Sequence, residues 1–252
     1  MASRPERHAY GDDPSQFGAL TRGAGATPGA SRAATPGASP GVAAGGASPG
    51  VAVLVHGGFW KATYGLELME PLAEDLAARG WTVWNLEFRR LGNGGGVPAT
   101  LDDVAAGIDH LARLDGLDLS RVVAIGHSAG GHLAAWAATR EAPRVPVTDV
   151  VAQAGVLDAR LARELRLSDA TVHTFLDGLD DAALAAFSPR ERLPLSARAL
   201  LTHGERDDIV PVRMSREFAA AGGTDLHVDP EAGHMEHLDP AHPLWQAVIA
   251  WL

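Results

Sequence analysis

The chain has 252 residues, enough for one large domain with a substantial core of its own. Hydrophobic residues make up 46% and charged residues 21%, the balance of a soluble globular fold rather than a disordered or fibrous chain. A formal charge of −10 disfavours nucleic acid and anionic bilayers as partners, and zero cysteines exclude disulfides, cysteine-ligated zinc and a thiol nucleophile.

Residues 1–22 open with Arg4, Glu6, Arg7, Asp12 and Asp13, which leave no apolar stretch for a signal peptide. Nor does any apolar run approach the ~18–20 residues that span a bilayer, so a cytoplasmic protein is expected. Residues 16–22 are expected to add an edge strand, joining this segment to the main domain. Residues 23–50 are rich in Gly, Ala, Ser and Pro, with Pro-Gly steps at 28, 36, 40 and 49. Such a stretch cannot repay the entropy of ordering, and it is read as a flexible insertion. An interaction protein organised around that insertion is a minor alternative.

From residue 51 to 252 the pattern is regular. Strands are predicted at 51–55, 82–88, 122–125, 150–154, 199–202 and 226–228. Helices are predicted between them at 66–79, 101–114, 130–140, 212–221 and 243–251. In 101–114 the residues Leu101, Val104, Ala105, Ile108, Leu111 and Ala112 recur at three and four, marking one buried stripe. Strands alternating with helices of this length imply an α/β fold: a largely parallel sheet covered by helices on both faces. Residues 157–193 break the alternation with short helical pieces at 159–165, 169–175 and 180–186, as expected of a small helical cap.

The sharpest chemical signal is Gly126-His127-Ser128-Ala129-Gly130-Gly131, between an apolar strand and an Ala-rich helix. A G-x-S-x-G there sets serine on a tight elbow with its hydroxyl above the sheet, and the Ala129 amide at the helix start is free to bind an oxyanion. The second signal is His56-Gly57-Gly58-Phe59-Trp60, directly after the strand at 51–55. Two glycines there let backbone amides approach a ligand closely, supplying the other half of an oxyanion hole. Trp60 and His127 are candidates for lining a substrate pocket. The competing readings make Phe59 and Trp60 core residues and give His127 and His132 surface or packing roles.

A serine nucleophile needs a base, and the base needs an orienting carboxylate. Among 11 histidines, His234 follows Gly233 after the last predicted strand and is the favoured base, with His237 its rival. Asp207, three residues past Gly204, is favoured as the acid over Asp208. Glu87, Arg89 and Arg90 are expected to form an ion pair holding loops. No metal-ligand spacing or dinucleotide motif is found, so neither metal nor cofactor is expected.

The motifs HGGFW, GHSAGG, HGERDDIVP and GHMEHLDP fall in an order that resembles the α/β-hydrolase superfamily over roughly residues 50–252. HGGFW is similar to a motif of kynurenine formamidases (arylformamidases) and related small carboxylesterases. The segment from Tyr10 to Gln16 resembles what those proteins place before their first strand. The resemblance implies Ser128, Asp207 and His234 as a catalytic triad, with amides of Gly58, Phe59 and Ala129 around the oxyanion. It implies a monomer or homodimer that cleaves a small-molecule ester or amide through an acyl-enzyme. A small peptidase of the same fold and a non-catalytic hydrolase-fold binding protein are the alternatives.

Overall fold

A computed structural model describes residues 4–23, 49–167 and 170–252. The flexible-insertion reading of 23–50, apart from its ends, and the helix start expected at Asp169 lie outside the described residues. The first segment forms an antiparallel pair, β1 (Glu6–Ala9) and β2 (Phe17–Thr21). β1 is absent from the sequence-based expectation because it is an exposed edge strand, so no apolar face marks it. The predicted runs then appear as β3 (Val51–Val55), β4 (Thr82–Leu86), β5 (Val122–His127), β6 (Asp149–Gln153), β7 (Arg198–Gly204) and β8 (Asp225–Asp229). The eight strands are ordered β1-β2-β4-β3-β5-β6-β7-β8, with every pair from β4 onward parallel and β2–β4 antiparallel.

Helices α1 (Glu70–Ala78), α2 (Ala99–His110) and α3 (Ala129–Ala137) follow β3, β4 and β5. Three short helices, α4 (Ala159–Glu164), α5 (Ala170–Phe175) and α6 (Asp181–Phe187), lie between β6 and β7. The last two, α7 (Arg213–Gly222) and α8 (Pro243–Trp251), follow β7 and β8. The helix expected at 66–79 divides into a 3-10 turn, Leu66–Met69, and α1. Pro71 is tolerated only in the first turn of an α-helix, which fixes where the α-helical part begins.

The pleat of β3 sends its side chains to two separate cores. Val51, Val53 and Val55 join Val104 and Ile108 of α2, Leu133 of α3 and Phe218 of α7. Ala52 and Leu54 face the opposite way, against Leu72 and Leu76 of α1 and Trp245 and Val248 of α8. Each fully buried Val or Leu contributes about 1.5–3 kcal/mol, so burial on both faces fixes the register of the central strands. The parallel strands β3, β5, β6, β7 and β8 thereby end at one edge of the sheet, and the candidate residues follow the carboxyl ends of β3, β5, β7 and β8.

Candidate active site

Ser128 stands between β5 and α3 at φ 56°, ψ −118°, a left-handed conformation that costs a non-glycine residue of the order of 1–3 kcal/mol. The surroundings hold it there. The Ser128 N–H donates to Gln153 O at 2.8 Å, and the Ser128 carbonyl accepts from His132 N at 3.2 Å and Val156 N at 3.3 Å. Close packing explains the glycines of the elbow. A Cβ on Gly126 would stand 2.0 Å from Gly130 O, and one on Gly130 would stand 1.9 Å from Val55 O.

The His56–Trp60 loop lies directly against this elbow, since a Cβ on Gly57 would come within 2.8 Å of His127 O and 3.1 Å of Ser128 Cβ. Gly58, Phe59 and Trp60 all have positive φ, at 103°, 49° and 55°. The loop is fixed by Lys61 N donating to Gly58 O at 3.0 Å and Leu91 N donating to Trp60 O at 2.8 Å. Beneath it the His56 ring stacks on Phe88 at 4.4 Å, its Nδ1–H donates to Gly57 O at 2.8 Å, and Arg90 Nη1 donates to its Nε2 at 2.7 Å. Arg90 also pairs with Glu87, while Arg89 pairs with Asp103 at 2.7 Å. Burial pushes the Glu87 carboxyl up, but its polar partners, Arg90 and the Phe88 amide among them, outweigh it and leave the group below its ordinary value.

The base and acid come together in the loops after β7 and β8. His234 Nδ1 donates to Asp207 Oδ2 at 2.7 Å, and both side chains are almost wholly buried. The other carboxylate oxygen accepts from Ile209 N at 2.9 Å and Val210 N at 2.8 Å. Burial raises the Asp207 carboxyl, but the bonds from His203, His234 and the Val210 amide reverse the effect and hold it well below the carboxylate range. Asp208 is exposed.

His237, the rival base, is fully buried, with Nδ1 at 3.1 Å from Thr202 Oγ1, and burial holds it well below the ordinary histidine value. Among the described residues, no hydrogen bond or ion pair joins it to Asp207.

His127 and Trp60, the candidates for lining a pocket, are both buried. His127 is 3% exposed, and its Nε2–H donates to the His234 carbonyl at 2.8 Å, tying the elbow to the histidine loop. Burial pushes it down to about 3, so it is neutral there. Trp60 is 1% exposed and stacks on Phe175 of α5 at 4.5 Å, with His132 edge-on at 5.5 Å. Its length and flatness fill the space beneath the short helices. His132 is fully buried, donates from Nε2 to Phe187 O at 2.9 Å and is pushed down by burial to about 4. Its role is packing rather than surface.

The residue overlooked in the sequence is His203, the penultimate residue of β7. Its Nε2 lies 3.2 Å from Asp207 Oδ2. A polar ring near the end of the apolar strand Arg198–Gly204, four residues before the candidate acid, is the signal that marks it. A cleft of about 630 Å³ between α2, α3 and α6, lined by Leu101, Trp136, Arg140 and Phe187 among others, includes none of Ser128, Asp207 and His234 in its walls.

The arrangement joins a strained serine, loops rich in backbone donors and a histidine hydrogen-bonded to a carboxylate, the parts that acyl transfer to a hydroxyl requires. Several solved structures share the fold. Esterase B from Lactobacillus rhamnosis aligns with 100% of this chain and 83% of its own at a TM-score of 0.73 and 20% identity. A truncated carbohydrate esterase from gut microbiota aligns with 100% of this chain and 94% of its own at a TM-score of 0.74 and 18% identity. At these identities the likeness establishes the α/β-hydrolase fold alone. In sequence the chain is 28% identical over 181 residues to the dihydrolipoyllysine-residue acetyltransferase component of the acetoin cleaving system of Pseudomonas putida. That match takes in 56% of this chain and 48% of the relative, so the chain spans about half the relative's length. The match that decides the family runs through residues 78–247, from the end of α1 into α8, and it places this α/β-hydrolase in the prolyl oligopeptidase family.

Proposed function

We propose that the protein is a serine hydrolase that cleaves a small ester or amide through an acyl-enzyme on Ser128. The observation that carries this reading is the 2.7 Å bond from His234 to Asp207. It orients the imidazole while His127 ties the His234 carbonyl to the serine elbow. In the reaction His234 takes the Ser128 proton as Oγ attacks the substrate carbonyl. The amides of Gly58, Phe59 and Ala129 receive the oxyanion. His234 then protonates the leaving alcohol or amine, and water repeats the sequence to release the acid. No cofactor or metal takes part in these steps.

For the substrate we favour an aryl formamide or a short-acyl ester. The His-Gly-Gly-Phe-Trp loop supports this, and so does an apolar surround. Tyr64, 44% exposed, packs on Gly58, and Met235, 53% exposed, directly follows His234. An uncharged, flat leaving group suits such neighbours better than an ionic one. The test is a panel of p-nitrophenyl acetate, longer-acyl p-nitrophenyl esters, N-formylkynurenine and a short peptide amide. Formyl and acetyl transfer to water is expected to be fastest and to disappear in Ser128→Ala. Preferred cleavage of the peptide would make the protein a peptidase. No turnover of any member would favour a binding role for the fold.

A further inference from the structure

We propose that His203 is a positioning residue for the catalytic acid, donating to the same Asp207 oxygen that accepts from His234. The proposal rests on the reading of Asp207 and His234 as acid and base. His203 is fully buried at the end of β7, and both of its ring nitrogens are committed. Nδ1 lies 2.7 Å from Ser215 Oγ on α7, and Nε2 lies 2.8 Å from the Val210 carbonyl. A carbonyl only accepts, so Nε2 carries the proton and the Ser215 hydroxyl donates to Nδ1. That same Nε2–H reaches Asp207 Oδ2 at 3.2 Å. A histidine serving only to cap the Val210 carbonyl would have no need to share its proton with the acid.

With the Ile209 and Val210 amides on Oδ1 and the two histidines on Oδ2, the Asp207 carboxylate cannot turn about its own axis without losing a buried partner. Two consequences follow. The His234 ring inherits a fixed direction from β7 and α7. Charge on Oδ2 is also divided between two donors, so less of it stabilises the imidazolium formed in each half-reaction. The titratable groups facing this pair are His127 from β5 and His237 from the loop before α8. Burial holds both below the ordinary histidine value, so neither supplies a competing charge. Glu236 in the His234 loop is engaged by the Gly233 amide, and Arg206 pairs with Glu231 at the surface.

The test compares His203→Phe, His203→Gln and Ser215→Ala by kcat, KM, the pH profile of kcat/KM and thermal unfolding. His203→Phe leaves Oδ2 to His234 alone. Its kcat is expected to fall roughly 10–100-fold with KM little changed, and the acidic limb of the profile to move to higher pH. His203→Gln, whose amide N–H reaches toward the Nε2 position, is expected to restore most of kcat and return the limb toward its original place. Ser215→Ala keeps the ring and, through the Val210 carbonyl, its tautomer, but leaves Nδ1 without the donor that holds the ring in place. It is expected to move the limb in the same direction by less and to lower kcat about two- to tenfold.

If Ser215→Ala keeps both the kcat and the limb of the parent protein, the proposal is overturned even where His203→Phe is too unstable to assay. Loss of thermal stability with an unmoved profile in the His203 variants overturns it as well. A failure of the underlying reading is separate and visible beforehand: Ser128→Ala would then stay active, or Asp207→Asn would keep its rate.

Discussion

The loop from His203 to Val210 and the three helices between β6 and β7 both follow a strand's carboxyl end, yet they are held in opposite ways. In the loop, Asp207 accepts from the Ile209 and Val210 amides on Oδ1 and from His234 on Oδ2, and the buried His203 ring lies 3.2 Å from Oδ2. The helices carry their charges in the open. Arg160 of α4 bridges Asp181 of α6 at 2.9 Å and Glu191 at 2.6 Å, while being 47% exposed. Asp158 and Asp180 cap α4 and α6 through the amides of Leu161 and Ala183. Buried, fully partnered charges fix a direction. Exposed pairs contribute little and leave room for rearrangement. Under the proposed function, chemistry is assigned to the rigid side, and substrate fit to the side that tolerates change.

The largest expected break of this contrast is Asp207→Asn. The amide keeps the shape but permits the wrong imidazole tautomer, so kcat is expected to fall by roughly 10³–10⁴. Asp208→Asn, one residue away and exposed, is expected to leave kcat within about twofold. Steady-state kinetics of the two variants decide it, and an inactive Asp208→Asn would assign the acid to the wrong side chain.

Acid stability sharpens the contrast at a second level. His127 and His132 are pushed down to about 3 and about 4 by burial, and His237 is lowered too. Their neutral forms belong to the folded state, whereas the unfolded chain protonates them near pH 6.5. Below that pH the unfolded state binds more protons, so this stability is whole above about pH 6.5 and is lost as the pH falls toward 4 and 3. Near pH 5 His127 and His132 together give a slope of about 2–3 kcal/mol per pH unit, and His237 adds to it in the same direction. Urea unfolding at pH 7 and pH 5 measures it, and a flat response would mean that these rings are not neutral in the folded protein.

The smallest effect belongs to the exposed side. Arg160→Ala removes both ion pairs between α4, α6 and the turn that follows. The melting temperature is expected to change little, and kcat on a small acetyl ester to stay within about twofold, with any change appearing in KM or acyl-length preference. A collapse of kcat would show that these helices also hold the chemistry in place.

What could be read in the sequence follows the same division. Strands β3 to β7 were legible because burial on both faces makes them apolar runs, and the glycines around Ser128 because close backbone approach admits nothing else. β1 was not legible, since an exposed edge needs no pattern. Local spacing favoured Asp207 and His234, but their pairing is a contact across 27 positions. His203, His127 and Trp60 show where local reading stops. Whether a ring borders a pocket, ties two loops or supports the acid depends on neighbours far away in the chain, such as Ser215, the His234 carbonyl and Phe175.

The central claim is that Ser128 forms the covalent intermediate, and covalent trapping tests it most directly. The folded protein is treated with a fluorophosphonate and digested, and the modified peptide is identified by mass spectrometry. One adduct is expected, on the peptide carrying Ser128, absent from Ser128→Ala and much slower to form in His234→Ala. An adduct on another residue, or one that persists in Ser128→Ala, would contradict it.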